Sequence, residues 1–253
     1  MKVLLLGATG NLGSRLIPAL LTHDHTTIAF VRSATKLAQL LPQPINEHLH
    51  VIEGDAKDAT AVKQAVLDNA CDAVVSTAGL AALAPWSKSD LPEIFRAVLT
   101  GVREAGEERG RPVRVWFLGG FGVLFYPGSE TMISNYIPIY LAHRQNLRLL
   151  RTLSPDTVDW SMLCPMTMIS ESSDLSVPTK KTSPLMANAS VPPAWRQSWM
   201  QSIPLVGRFL TIGMNASRYE TTLEQNAEFI ADDLESAESR WSGVAVGIID
   251  GSK

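Results

Sequence analysis

Seven residues near the start of the sequence have the types and spacing of a phosphate-binding turn. Residues 7–13 read Gly-Ala-Thr-Gly-Asn-Leu-Gly and stand between an apolar run and a segment of helical periodicity. In such a loop the glycines permit a tight turn, a close approach of the backbone to a pyrophosphate, and close packing of helix on strand. Free amides and the dipole at the helix N-terminus attract the anion. The sequence therefore predicts a dinucleotide site, with a glycine-rich structural turn as the alternative. The residues expected to bind the cofactor here are Gly7, Thr9, Gly10, Asn11, Leu12 and Gly13.

Residues 31–36 hold the chemistry that would distinguish one dinucleotide from another. An acidic residue about 20 positions beyond the loop would bind the ribose of NAD. Arg32 and Ser33 stand there instead, and Lys36 follows. A guanidinium offers a planar pair of donors to a 2′-phosphate, and the hydroxyl and ammonium add to it. We therefore expect NADP(H) as the cofactor. The alternative is that Arg32 is solvated and Ser33 only caps the next helix.

Two tripeptides follow the next predicted strands and point to the same crevice. They are Gly54-Asp55-Ala56 and Thr77-Ala78-Gly79. Ligands of open parallel sheets bind outside the carboxyl ends of the strands. Asp55, beside Ala56, would accept a hydrogen bond from the adenine amino group. The small residues Thr77, Ala78 and Gly79 would let the backbone lie near the cofactor ribose, although each tripeptide alone could be an ordinary turn.

The elements that must position these residues alternate between strand and helix. Each predicted strand is short and nearly continuously apolar, as expected where helices cover both faces of a sheet. The strands are predicted at Lys2–Leu6, Thr26–Val31, His50–Glu53, Ala73–Ser76, Arg114–Leu118, 159–163 and 244–249. This alternation predicts an α/β fold with a doubly wound parallel sheet of the Rossmann type. We expect one NAD(P)-binding domain over residues 1–253, with the irregular residues 166–218 as a lobe that covers the substrate. Thr221 and Thr222 each begin a candidate capping box before a final helix.

Composition excludes several classes of partner. The 253 residues include 22 Lys and Arg against 25 Asp and Glu, with no basic run, so neither nucleic acid nor an anionic membrane is expected as a partner. The first apolar run is broken at Gly7, before it reaches the length of a signal peptide. Only two cysteines occur, which favours a reducing, cytoplasmic location. The histidine pairs at residues 23/25 and 48/50 are interpreted as solvated loop residues, and no metal site is expected.

Together these motifs resemble the atypical short-chain dehydrogenase/reductase superfamily, in its NmrA-like and biliverdin-reductase-B-like branches. The resemblance depends on the residue 7–13 loop, Arg32, the two tripeptides, a Tyr-bearing helix and the strand end at residues 159–165. It spans nearly the whole chain apart from much of 166–218. It implies a Rossmann fold, an NADP(H) cofactor and a cofactor contact at Pro165. It does not imply a particular substrate, because the family hosts many activities.

The resemblance also implies catalytic residues. Reductases of this family often use a Ser after the fifth strand and a Tyr-x-x-x-Lys helix, in which Tyr protonates the carbonyl oxygen. Tyr140 and Arg144 fall at the Tyr and Lys positions, and on a helix they would share one face. The Ser is absent from residues 118–122, and Cys164 stands where many relatives have Arg. We expect Tyr140 to donate the proton and Arg144 to favour the tyrosinate, with a structural Tyr140 as the alternative. Cys164 is expected to be a buried, inert thiol, with a nucleophilic Cys164 as the alternative. His143 could act as an acid or base, but it lies one position away from the helix face shared by Tyr140 and Arg144, and we expect it to face solvent.

Apolar and aromatic side chains near this edge predict a chamber for a flat organic molecule. The candidates are Phe121, Tyr126, Met166, Trp195 and Trp199, with a packing role in the lobe's own core as the alternative. The expected function is an NADPH-dependent oxidoreductase acting on a hydrophobic small molecule, for example an aromatic or polyketide-like one. Two other hypotheses stay open. One is a non-redox isomerase, dehydratase or cyclase that retains NADP as a scaffold, and the other is a regulatory binding protein that senses NADP(H).

Overall fold

A computed structural model describes residues 1–84, 86–176 and 184–252. Its main feature is an eight-stranded sheet in the order β3-β2-β1-β4-β5-β6-β10-β8. The strands are β1 (Lys2–Leu6), β2 (Thr26–Val31), β3 (His50–Glu53), β4 (Ala73–Ser76), β5 (Arg114–Leu118), β6 (Asp159–Cys164), β7 (Thr167–Ile169), β8 (Leu185–Ala189), β9 (Glu220–Thr222) and β10 (Val244–Asp250). The neighbouring pairs of the main sheet are parallel except β10 with β8, which is antiparallel. The remaining strands β7 and β9 form a small parallel pair.

Helices cover both faces of the sheet. They are α1 (Asn11–Thr22), α2 (Ala34–Leu40), α3 (Gln43–Asn46), α4 (Ala59–Asp68), α5 (Leu91–Arg109), α6 (Ala142–Leu150), α7 (Gly207–Ala216) and α8 (Leu223–Asp233). One core lies between the sheet and helices α4, α5 and α6, and the other lies between the sheet and helices α1, α2 and α8. The chain is therefore a doubly wound α/β protein, as the alternation of strand and helix predicts.

The pleat of the strands explains how a continuously apolar run serves two cores. In β1, Leu4 and Leu6 belong to the core with α4 and α5, whereas Val3 and Leu5 belong to the core with α1. All four side chains are completely buried. Successive side chains of a strand point to opposite faces, so a strand with helices on both sides needs no polar positions. Each buried leucine contributes roughly 2 kcal/mol of transfer free energy.

All seven strands predicted from the sequence are present, and two of the predicted ends move by one residue. Thr222 caps α8 in a full capping box with Gln225, as predicted. The prediction that Thr221 also begins a capping box is wrong, because Thr221 lies in β9 and its hydroxyl accepts a hydrogen bond from Asn226. The apolar pattern also did not reveal β8, which the segment 166–218 contributes to the edge of the main sheet.

The order of the strands places the candidate residues at one edge. Strand β1 lies between β2 and β4, and β5 follows β4, so the strand order reverses at β1. The crevice outside the carboxyl ends of the strands at such a reversal is the usual ligand site of these sheets. The turn after β1 and the loops after β4 and β5 therefore open side by side. Among the described residues, no helix has both the length and the apolar character needed to cross a membrane.

Candidate cofactor and active site

The turn after β1 has the geometry of a phosphate-binding loop. Gly7 has a φ of +85°, a value that residues with a Cβ adopt only with strain. The Gly10 amide donates to the Gly7 carbonyl at 2.9 Å, which closes the turn just before α1. A Cβ on Gly13 would lie 2.1 Å from the Gly7 carbonyl oxygen, so only glycine lets α1 begin this close to the strand.

The first turn of α1 keeps its amides available. Gly10 occupies the N-cap, no side chain caps the helix, and the first turn contains no acidic residue. Thr9 is half-buried, Gly10 and Asn11 are exposed, and Leu12 is buried against the sheet. The first amides of a helix have no intrahelical acceptor and favour an anion. The residues present therefore fit a diphosphate at this place.

The end of β2 combines a cationic side chain with a carboxylate that sequence reasoning missed. Arg32 and Lys36 are exposed. Ser33 caps α2, and its hydroxyl oxygen accepts from the Lys36 amide at 3.3 Å, so the capping alternative describes one role of Ser33. A Glu53 carboxylate oxygen accepts from the Ala34 amide at 2.7 Å. Glu53 ends β3 and pairs with Val31 at the end of β2. The register of these two strands is therefore the signal that could have identified Glu53 as a neighbour of Arg32.

The two tripeptides differ in their roles. Asp55 is exposed, and one of its carboxylate oxygens accepts from the Lys57 amide at 3.0 Å. Gly54 has a packing role, because a Cβ there would lie 2.3 Å from the Phe30 ring. Thr77 joins two strand ends, since its hydroxyl donates to the Leu6 carbonyl at 3.1 Å. Ala56 and Ala78 are half-buried, while Gly79 is exposed with a φ of +98°.

The helix face predicted to unite Tyr140 and Arg144 does not form. Helix α6 begins at Ala142, and Tyr140 precedes it with a φ of +51°. The Tyr140 amide donates to the Leu83 carbonyl at 3.2 Å, which holds the residue against the loop that follows β4. Tyr140 is 42% exposed. Tyr140 therefore lies in a loop beside the segment that follows β4, while Arg144 lies in the first turn of α6.

His143 lies deeper than the sequence suggested. The expectation that it faces solvent is wrong, because the residue is only 9% exposed. A Cβ on Gly120 would lie 3.0 Å from the imidazole Cδ2 and 3.5 Å from Nε2, so the ring rests against the loop after β5. Burial lowers the pKa of His143 to about 4. No sequence signal identified this contact, because it depends on a glycine 23 positions away in the chain.

Cys164 is buried, as expected from the sequence. The thiol is completely buried at the end of β6 and lies 3.4 Å from the Met162 carbonyl oxygen. Burial raises its pKa to about 12, which removes the thiolate needed for nucleophilic attack. Pro165 follows, and its carbonyl accepts from the Phe121 amide at 2.9 Å, which fixes the loop after β5 to the end of β6.

The predicted substrate residues separate into packed and exposed groups. Phe121 and Tyr126 are buried in the core. The half-buried Trp195 packs on Tyr126, with ring centroids 5.4 Å apart. Met166 is 38% exposed and Trp199 is 78% exposed. Packing thus accounts for the first three, and Met166 and Trp199 are the two that remain available to a ligand.

His23 and His25 are not the solvated loop residues expected from the sequence. His25 is 4% exposed and its Nε2 lies 3.0 Å from the Ala231 carbonyl oxygen. The two ring nitrogens of His23 contact carboxylates of α8 and its C-terminal end, Glu228 at 2.9 Å and Glu235 at 2.5 Å. The side chains of α8 thus supply the acidic neighbours that the local sequence of His23 lacks.

A comparison with known protein families identifies the family of this chain. The model of the NAD(P)H-binding family matches residues 7–193, which begin at the first glycine of the turn after β1. The chain belongs to the NAD(P)H-binding family. A search of curated proteins found no match.

Several solved structures have the same fold over almost the whole length of this chain. An oxidoreductase from Lactococcus lactis is 16% identical with a TM-score of 0.63, covering 99% of this chain and 91% of its own. A short-chain dehydrogenase/reductase from Veillonella parvula, in complex with NADP, is 17% identical with a TM-score of 0.61, covering 99% and 94%. A protein from Lactobacillus casei is 19% identical with a TM-score of 0.65, covering 99% of both chains. At these identities the likeness establishes the fold.

Proposed function

We propose that the protein is an NADPH-dependent reductase of a hydrophobic carbonyl compound. The observation that carries the proposal is the uncapped N-terminus of α1, which opens in the crevice beside the exposed Arg32. The membership in an NAD(P)H-binding family supports the dinucleotide, and the likeness to a reductase fold solved with NADP supports the choice of cofactor.

Opposing charges at the ends of β2 and β3 set the preference between the two dinucleotides. The Arg32 guanidinium favours a 2′-phosphate through charge-assisted hydrogen bonds. The Glu53 carboxylate, held at the Ala34 amide, repels that phosphate. We infer that Arg32 dominates, because it presents two or more donors while Glu53 already has an amide partner. Glu53 then reduces the preference for NADP(H) without reversing it.

The edge of the crevice near Tyr140 is apolar, which favours a hydrophobic substrate. Leu83, whose carbonyl accepts from the Tyr140 amide, is 57% exposed, and Ile139 is 39% exposed. Leu80 and Trp86, in the same loop as Leu83, are each 85% exposed. Exposed apolar side chains that cluster in this way usually mark a binding surface. They would cover the apolar part of a ligand whose reacting carbonyl lies beneath.

The chemistry assigned to the chain is positioning and proton supply. When bound, the cofactor supplies a hydride to the carbonyl carbon. The carbonyl π bond breaks, and the oxygen takes a proton from the Tyr140 hydroxyl. Because Tyr140 is 42% exposed, water can restore that proton. Arg144 lies on the first turn of α6 and is not united with Tyr140 on a helix face, so its role in this proposal is limited to favouring the transient phenolate through its positive charge.

Calorimetric titration with NADPH and NADH tests the cofactor assignment. We expect tighter binding of NADPH. Arg32→Gln should weaken NADPH binding by about tenfold, the lower range for a charged hydrogen bond because the side chain is exposed, and leave NADH unchanged. Glu53→Gln should shift the ratio of the two dissociation constants the opposite way, further toward NADPH. Equal affinity for both dinucleotides in the wild type and in Arg32→Gln would refute the choice of NADP(H).

Absorbance of the reduced nicotinamide then tests the reaction. The protein, with NADPH in excess, is incubated with a panel of apolar ketones, aldehydes and enones and with polar carbonyl compounds of similar size. We expect consumption of NADPH with the apolar members. Background rates across the panel would refute a carbonyl reductase. Substrate conversion with NADP⁺ and no absorbance change would instead support the non-redox hypothesis.

A further inference from the structure

The buried imidazole of His143 rests against the loop that follows β5, at the carboxyl end of the sheet. The ring rests on Gly120, the second residue after β5, and β5 pairs with β4, whose carboxyl end carries Thr77. Gly120 itself is half-exposed at the crevice. Since Gly120 has no side chain, the Cδ2–Nε2 edge of the imidazole takes the position that a side chain there would fill.

We propose that neutral His143 donates a hydrogen bond from Nε2–H to the reacting oxygen of the substrate. This rests on the proposed reductase function and adds a residue to it. His143 lies outside the pair Tyr140 and Arg144, and it acts by polarising the carbonyl group.

The surroundings of the ring select the tautomer that can donate into the crevice. Nδ1 is buried and has no hydrogen-bond partner among the described residues. A proton on Nδ1 would be a buried donor without an acceptor, which is rare in native proteins and costs about 1–3 kcal/mol. A proton on Nε2 lies on the edge beside half-exposed Gly120, where water or a ligand can accept it. Burial also disfavours the imidazolium, because it lowers the pKa to about 4.

A neutral donor suits the charge that develops in this reaction. As the carbonyl carbon accepts the hydride, negative charge grows on the oxygen, and a fixed N–H in a low-dielectric site stabilises it. His143 keeps its proton throughout. The proton that completes the alcohol comes from the Tyr140 hydroxyl, so the imidazolate is never formed and no further reactant is needed.

Nitrogen-15 NMR of the imidazole tests the tautomer without requiring turnover. A spectrum of the full chain at pH 7 is compared with that of His143→Gln, which identifies the signals of this ring. We expect a pyrrole-type Nε2 and a pyridine-type Nδ1. Addition of acetophenone to the protein saturated with NADP⁺, which lacks the hydride, should shift the Nε2 signal. A pyrrole-type Nδ1, an imidazolium, or an Nε2 signal unmoved by saturating acetophenone would overturn the proposal.

Kinetics with NADPH supply the second arm. His143→Leu should lower kcat by about 100-fold, the usual effect of losing one donor to a developing oxyanion, and change the NADPH dissociation constant by less than twofold. His143→Gln keeps an N–H donor and should recover at least tenfold of that loss. Asn146→Leu is the matched control, because Asn146 lies one turn later on α6 and its buried Nδ2 has no hydrogen-bond partner in the part of the chain that the structure describes. The kcat of this variant should equal that of the wild type.

The outcomes separate the two proposals. If the wild type binds no dinucleotide, the proposed function fails, while the NMR arm still reports the tautomer of His143. If the wild type turns over and His143→Leu has unchanged kcat, or loses only cofactor affinity, the reductase stands and the role of His143 is refuted.

Discussion

Gly10 and Gly13 stand three residues apart, and the structure gives them different tasks. Gly10 is the N-cap of α1, with φ −84° and ψ 171°, a conformation that alanine adopts freely. A Cβ there would meet only the Gly7 carbonyl oxygen, at 3.2 Å. A shift of a few tenths of an ångström relieves this contact. Gly10→Ala should therefore change the free energy of unfolding by less than about 1 kcal/mol, because alanine at an N-cap typically costs about 1 kcal/mol relative to a favoured residue and glycine already costs a few tenths.

The effect on cofactor binding should be much larger. The added methyl group lies at the exposed start of the helix, where the diphosphate would meet the amides. If it separates the phosphate from two of these amides, each charge-assisted hydrogen bond lost weakens binding by roughly 1.5 kcal/mol. Together they give about 3 kcal/mol, or roughly a 150-fold higher dissociation constant.

Gly13→Ala should fail in a different way. Its Cβ would lie 2.1 Å from the Gly7 carbonyl oxygen and 2.7 Å from the carbonyl carbon. The loop must open by about 1 Å, and overpacking of this kind costs about 1–3 kcal/mol, of which better helix propensity returns at most about 1 kcal/mol. Stability and cofactor affinity should fall together.

Denaturant unfolding and calorimetric titration of NADPH, applied to both variants, separate packing from phosphate approach. The expected pattern is a stable Gly10→Ala that binds poorly and a destabilised Gly13→Ala that also binds poorly. A Gly10→Ala variant that binds NADPH as tightly as the wild type would show that the dinucleotide does not lie on the amides of α1. The assignment of the turn at residues 7–13 would then be wrong.

Three further predictions concern stability and reactivity. Thr222→Ala should destabilise the fold by about 1 kcal/mol in denaturant unfolding, because it removes the cap of α8, whereas Thr222→Ser should match the wild type. Burial lowers the pKa of His23, but the hydrogen bonds and charges of Glu228 and Glu235 outweigh it and raise the pKa. The wild type should therefore be more stable than His23→Gln by the largest margin below pH 6.5, and this margin should decline as the pH rises through the folded pKa. A margin that grows with pH would contradict the pairing. Cys164, with its pKa raised to about 12, should react with a thiol reagent at pH 8 only after denaturation, and rapid labelling of the native protein would contradict its burial.

The strands of the main sheet could be predicted because burial on both faces leaves a local trace. A run such as Val3-Leu4-Leu5-Leu6 has no solvent-facing position, and no amphipathic helix would carry it. Strand β8 has no such trace. Its residues Leu185–Ala189 include an asparagine and two alanines, and all five are exposed or half-exposed. It is a strand because it pairs with β10, which lies more than fifty residues further along the chain.

The turn at residues 7–13 was also predictable from local sequence, because its conformation requires glycine at particular positions and the residue types show those glycines. The positive φ of Gly7 and the tight contact at Gly13 require the residues that the sequence shows. The carboxylate of Glu53 could not be found in this way, because glutamate is compatible with almost any exposed position. Only the pairing of β3 with β2 brings it to the start of α2.

The segment around Tyr140, which we propose as the reacting edge, was the least predictable, because tertiary contacts override the helical spacing there. Residues Tyr140 and Arg144 fit one helix face, yet the Tyr140 amide bonds to Leu83 and α6 begins two residues later. Starting the helix at Ala142 turns His143 inward, onto a loop position where glycine leaves room for an imidazole. Because α6 starts at Ala142, Tyr140 lies outside the helix and His143 is buried. A substitution that extended α6 back through Tyr140 would be expected to alter both groups together, whereas changes to Arg144 alone should leave His143 in place.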